Sequence, residues 1–79
     1  MRRSRTKIIW DVLEEIYKRP ATPYTIMKNA NLSYRLVLEY LKMLSSNKLL
    51  QKKDGWFYLS TKGKTALEKF RDSPLKEYF

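Results

Sequence analysis

Apolar residues along the chain fall into two rhythms. Ile8, Ile9, Val12, Leu13, Ile16 and Tyr17 recur at spacings of three and four, and Asp11, Glu14, Glu15 and Lys18 fill the positions between them. That period places the apolar set on one face of a first helix. Thr6 is placed to cap its start, and Pro20 ends it. Thr22-Pro23 marks a second start: a capping hydroxyl followed by proline at the first helical position, where the missing N–H would be unpaired anyway. The second helix is expected from Pro23 to about Ala30, with Tyr24, Ile26, Met27 and Ala30 turned to the core. Asn29-Ala30-Asn31 reads as a short turn in which Asn31 can adopt the left-handed conformation. Ser33 then caps a third helix that runs through Asn47, with Leu36, Val37, Tyr40, Leu41 and Leu44 as its apolar stripe.

Beyond Asn47 the helical rhythm stops. Leu49-Leu50-Gln51-Lys52-Lys53 can form a strand, Asp54-Gly55 is a strong two-residue hairpin signal, and Trp56-Phe57-Tyr58-Leu59 is an aromatic return strand. Trp56 and Tyr58 alternate with Phe57, so one face cannot bury all three. One side packs against the helices; the other faces solvent, DNA or a partner subunit. Ser60-Thr61 starts a last helix with Ala66, Leu67 and Phe70 inward, and Pro74 stops it. The expected fold is α+β, a winged helix-turn-helix of three helices, a two-stranded wing hairpin and a C-terminal helix. Residues 1–5 read as a flexible basic arm, 6–73 as the domain, and 74–79 as a C-terminal tail.

The stretches Asn31-Leu-Ser-Tyr-Arg35, Tyr40-Leu-Lys-Met-Leu44, Leu49-Leu50 and Tyr58-Leu-Ser-Thr-Lys-Gly63 resemble the small archaeal winged-helix DNA-binding proteins and the ArnR-like helix-turn-helix domain. The resemblance covers roughly Ile8 to Phe70. It implies transcription regulation by sequence-specific binding, or chromatin-like DNA binding. Some relatives extend the last helix into an antiparallel coiled coil; Pro74 departs from that pattern.

Composition narrows the chemistry. The 79 residues suffice for one domain. Cysteine and histidine are absent, which excludes disulfides, Cys/His zinc sites and His-based triads. The two glycines, Gly55 and Gly63, form no phosphate-binding loop. No enzyme activity, cofactor, metal or small-molecule substrate is expected. No apolar run approaches the roughly 18 residues of a membrane span, and an intracellular, nucleoid-associated protein is expected. Lys and Arg number 17 against 8 Asp and Glu, for a formal charge of +9, which points to a polyanionic partner.

The candidate DNA surface centres on the third helix, where Ser33, Tyr34, Arg35, Leu38, Glu39 and Lys42 lie off the apolar stripe. Arg35 can reach guanine edges, Tyr34 can meet a phosphate or sugar, and Lys42 suits a backbone contact. Leu38 can touch a thymine methyl or pack against the first helix. Glu39 can accept from cytosine N4, but an intrahelical pair with Arg35 is the expectation for the free protein. The plain alternative is a solvated helix face. Thr22, Thr25 and Lys28 on the second helix suit phosphates. On the wing, Lys52 and Lys53 approach the minor groove or flanking phosphates, and Gly55 supplies the positive φ of the turn. Arg2, Arg3, Arg5 and Lys7 form either a minor-groove arm or a solubilising tail. Lys48, Lys62 and Lys64 extend the basic surface, and Asp11, Glu14 and Glu15 should face away from the duplex.

The best reading is a duplex DNA-binding protein acting as a transcriptional regulator through the helix from Ser33 to Asn47. The alternatives are a non-specific architectural DNA binder and a protein-interaction winged helix. A homodimer is expected because Tyr17, Trp56, Leu75, Tyr78 and Phe79 exceed what so small a core buries. Its seam would be the first helix, the last helix and the segment from Leu75 to Phe79.

Overall fold

A computed structural model describes residues 3–71. The elements are α1 (Arg5–Lys18), α2 (Pro23–Ala30), α3 (Tyr34–Ser46), β1 (Leu50–Lys53), β2 (Trp56–Leu59) and α4 (Thr61–Arg71). This is the expected winged-helix order. The core takes Val12, Leu13 and Ile16 from α1, Ile26 and Ala30 from α2, and Val37, Leu41 and Leu44 from α3. Leu50, Phe57 and Leu59 from the hairpin and Leu67 from α4 complete it. Helical positions three and four apart thus meet alternate positions of one sheet face, as the two periods require.

Capping sets the helix boundaries. α1 starts earlier than expected: Ser4, not Thr6, is its cap, accepting the Lys7 N–H at 3.1 Å. A serine two residues upstream satisfies the same orphan donor, and Thr6 falls inside the first turn. Thr22 caps α2 and Ser33 caps α3, as expected. Asn31 is left-handed at φ 55°, and the N–H groups of Asn31 and Leu32 both reach the Met27 carbonyl. At the end of α3, Lys48 takes the left-handed position with φ 63°. Its N–H donates to the Ser45 carbonyl, and that of Leu49 donates to the Leu44 carbonyl, both at 3.0 Å. This is a Schellman closure. Closing the helix engages the Leu49 N–H, so β1 begins at Leu50 rather than at Leu49.

β1 and β2 pair antiparallel, from Leu50 opposite Leu59 to Lys53 opposite Trp56. The turn residues Asp54 and Gly55 have φ 53° and 83°, both positive as in the turn that matches strand twist. A third piece was not legible in the sequence. Ala21 bridges Phe57, its N–H donating at 3.1 Å and its carbonyl accepting at 2.8 Å. This clamps the α1–α2 connection to the wing.

The base of the wing is tied to α4. Ser60 donates its N–H to the Leu49 carbonyl at 3.1 Å and its hydroxyl to the Lys48 carbonyl at 2.7 Å. The same hydroxyl caps α4 by accepting the Gly63 N–H at 3.0 Å. A Cβ on Gly63 would sit 2.2 Å from the Leu49 carbonyl oxygen, whereas one on Gly55 would meet nothing within 4 Å. Two substitutions separate the roles. Helix propensity alone predicts that Gly63→Ala stabilises by about 1 kcal/mol. The contact reverses the sign, and urea denaturation should show a loss of at least about 2 kcal/mol. Gly55→Ala should cost about 1–2 kcal/mol, from backbone conformation alone.

Candidate nucleic-acid interface

α3 divides cleanly. Val37, Tyr40, Leu41 and Leu44 are buried, while Tyr34, Arg35, Leu38, Glu39 and Lys42 are exposed along the opposite face. The Arg35 side chain is 90% exposed, and its Nε lies 3.6 Å from Glu39 Oε1, the expected pair one turn apart. Such an exposed pair holds the guanidinium weakly. Leu38 is 43% exposed and does not pack into the core. Ser33 accepts the Leu36 N–H at 3.2 Å, so its hydroxyl is engaged in fixing the start of the helix.

Beside this face stand the wing and α2. α3 packs against β1, whose Lys52 and Lys53 are exposed toward the Asp54-Gly55 tip. Lys52 Nζ lies 5.7 Å from the centre of the Phe57 ring. On α2, the Thr22 hydroxyl accepts the Thr25 N–H at 3.4 Å and shares a 3.1 Å hydrogen bond with the Thr25 hydroxyl. Tyr24 is not a core residue as expected; it is 58% exposed, with the exposed Lys28 amine 5.5 Å from its ring centre. The first turn of α2 already buries Ile26, and position 24 falls off that stripe.

The described cations of the basic arm make contacts with the folded elements. Arg3 Nη1 donates to Asp11 Oδ2 at 3.0 Å and to the Ala30 carbonyl at 2.7 Å, and Nη2 donates to the Asn31 carbonyl at 2.7 Å. It therefore caps the C-terminal end of α2, where orphan carbonyls and the helix dipole favour a cation. Lys7 joins it on Asp11 at 2.8 Å. Arg5 is the first residue of α1 and reaches Met43 Sδ at 3.8 Å. Arg2 lies outside the described residues. Nothing local in the sequence announces the Arg3 cap, because its carbonyl partners are 27 and 28 residues away.

Two further lysines are structural in part. Lys62 Nζ donates to the Asn47 carbonyl at 3.2 Å, capping α3, and Lys48 occupies the left-handed closure. Lys64 is exposed. Of the surplus hydrophobics behind the expected dimer, Tyr17 is half-buried and Trp56 exposed, while Leu75, Tyr78 and Phe79 lie outside the described residues.

Charge is partitioned along the chain. On α1, Asp11 is held by Arg3 and Lys7, and Glu15 by Lys18 at 3.0 Å. From Pro20 to Arg71 there are ten Lys and Arg against three acids, Glu39, Asp54 and Glu68. That stretch, which carries α3 and the wing, therefore has a formal charge of +7. Among the described residues, no cluster of acids could hold a metal ion, and no helix is long and apolar enough to cross a membrane.

The winged helix-turn-helix family model matches residues 2–77. The chain belongs to the winged helix-turn-helix family. Protein MJ0290 of Methanocaldococcus jannaschii is 29% identical over 72 residues, a match covering 91% of this chain and 34% of that protein. The chain thus spans about a third of that relative's length. Among solved structures, the DNA-binding protein Sso10a-2 from Sulfolobus solfataricus superposes with a TM-score of 0.71 at 20% identity, over 96% of this chain and 86% of that one. CalO1, a methyltransferase in calicheamicin biosynthesis, superposes with a TM-score of 0.67 at 22% identity. That match covers 90% of this chain but 20% of CalO1. At these identities the likeness is one of fold: the winged helix-turn-helix occurs both in a small DNA-binding protein and as one part of a larger enzyme.

The Arg3 cap yields a direct test. Arg3→Ala leaves two carbonyls and a half-buried Asp11 with fewer partners, so it should lower unfolding free energy by about 1–2 kcal/mol. Urea denaturation at low and high salt checks this. An unchanged midpoint would mean that the cap contributes nothing.

Proposed function

We propose that this winged helix-turn-helix domain binds duplex DNA as a transcriptional regulator, with α3 in the major groove and the wing lysines on flanking phosphates. The observation that carries this reading is the exposed row Tyr34, Arg35, Leu38, Glu39 and Lys42, mounted on a helix whose other face is locked into the core. Arg35 sits in the first turn, where a recognition helix meets base edges. Its ion-pair partner among the described residues is the solvated Glu39, which it can exchange for a guanine O6 and N7 pair. Leu38 offers an apolar contact to a thymine methyl. Tyr34, Lys42, Lys28, Thr25, Lys52 and Lys53 supply phosphate contacts that set register without reading sequence. The DNA-binding character of Sso10a-2, which shares this fold, supports the same assignment. A two-fold pair of domains, with α3 helices about 34 Å apart, is the finer form of this proposal.

Selection from random duplexes supplies the cognate site. Arg35→Ala should then cost about 1–3 kcal/mol on the cognate duplex and much less on a scrambled one. Equal affinity of the unmodified protein for both duplexes would contradict specific readout and favour an architectural binder. Sedimentation equilibrium on a cognate duplex counts the bound copies.

The salt dependence follows from exposed lysines that, among the described residues, no carboxylate pairs. Four phosphates neutralised by Lys28, Lys42, Lys52 and Lys53 give a slope of log K against log salt of about −3.6. Replacing Lys52 and Lys53 by Ala should reduce its magnitude by about 2. An unchanged slope would remove the wing from the interface.

A further inference from the structure

The outer face of the wing is a surface distinct from α3. Trp56 and Tyr58 alternate with the buried Phe57 and Leu59, so both rings stand on the face turned away from the core. Trp56 is 46% exposed and Tyr58 38%. Strand pairing puts Lys53 opposite Trp56 and Gln51 opposite Tyr58. Half-open grooves flank the rings, and two of them are also bordered by the end of α1. One, of about 530 Å³, runs from Trp56 to the end of α1 and to Thr25 and Asn29 of α2. The other, of about 220 Å³, joins Tyr58 to Tyr17 and Lys64. Lys18, Arg19 and Pro20 border both grooves, and no α3 residue lines either. Among the described residues, no carboxylate pairs with Arg19, Lys53 or Lys64.

We propose that this face binds single-stranded nucleic acid, with unpaired bases stacked on Trp56 and Tyr58 and phosphates held by Arg19 and Lys64. Exposed aromatic rings set among cations are the chemistry of sequence-tolerant single-strand binding. The two positions are about 6.8 Å apart along the strand, twice the roughly 3.4 Å rise of stacked bases. A duplex keeps its base faces covered by its own stacking and offers these rings nothing. A second copy of the chain would bring the same cations against each other. Charge complementarity therefore favours a polyanion, and the rings favour one with free bases. The site is independent of the duplex reading, because it uses neither the exposed face of α3 nor the wing lysines Lys52 and Lys53.

The test uses an eight-nucleotide oligothymidine and a 16-base-pair duplex. Trp10 and Trp56 are the two tryptophans, so Trp10→Phe leaves Trp56 as the single reporter. Its emission should be quenched on saturation with oligothymidine, and saturating duplex should not restore it. By fluorescence anisotropy, Trp56→Ala should weaken oligothymidine binding about tenfold, and the double variant with Tyr58→Ala about a hundredfold. Trp56→Phe should stay within about threefold of the parent, because it keeps a stacking ring. Arg35→Ala should leave oligothymidine binding within about twofold of the parent. Thermal melts check that each variant folds, and where the alanine variants do not, the quenching of Trp56 decides. Absence of quenching, unchanged affinity in a folded double variant, or release of the oligothymidine by duplex would overturn the proposal. So would a sedimentation mass near twice 9.6 kDa that falls to the monomer in the Tyr58→Ala variant, since the face would then belong to a second copy.

Discussion

The carbonyl of Leu49 accepts the N–H of Ser60 and lies where any side chain on residue 63 would have to be. Around that close approach three elements are fixed together. The Leu49 N–H closes α3, the next residue opens β1, and the Ser60 hydroxyl bridges the Lys48 carbonyl to the first turn of α4. Lys62 adds its ammonium to the Asn47 carbonyl. The end of the exposed helix, the base of the wing and the start of the last helix therefore cannot shift independently. At the far side of the hairpin, the bridge from Ala21 to Phe57 attaches the α1–α2 connection to β2. A small domain has little core with which to orient its parts. Here hydrogen bonds at the seams hold the wing beside α3.

That rigidity gives the charge distribution its meaning. The acids of α1 are largely matched by Arg3, Lys7 and Lys18, whereas α3 and the wing carry cations with few acidic neighbours. A mobile basic tail would supply affinity without register. Cations on a fixed helix face and a fixed hairpin supply both, because their spacing is set before binding and less ordering remains to oppose association. The basic arm illustrates the difference. Arg3 satisfies carbonyls at the end of α2, so the cation with the best access to a helix terminus serves the fold.

Much of this was legible in the chain. Periodicity located all four helices, Thr22-Pro23 and Ser33 marked two of the starts, and Asp54-Gly55 fixed the hairpin register. These are local signals, each satisfied within a few residues. The misses have two causes, local ambiguity and contacts distant in sequence. Tyr24 looked apolar by type, yet a helix of eight residues shows too little of its own stripe to reveal which face an aromatic takes. Ser4 and Thr6 are both competent caps, and local sequence does not choose between them. Arg3 with Ala30, Ala21 with Phe57, and Gly63 with Leu49 are contacts between segments far apart in sequence. At the candidate site, the exposed α3 face and its Arg35–Glu39 pair were foreseeable from helical spacing. The surroundings of Trp56 were not, because they depend on where the end of α1 comes to rest beside the wing.

In the proposed function, α3 and the wing form one preset duplex-binding surface. Amide chemical shifts of the labelled protein, followed during titration with a duplex, test it most directly. The largest changes should fall on residues 33–42 and 52–55 and appear together at one stoichiometry, and the amides of Asp11, Glu14 and Glu15 should stay in place. Changes centred on α1, with residues 33–42 unmoved, would contradict it.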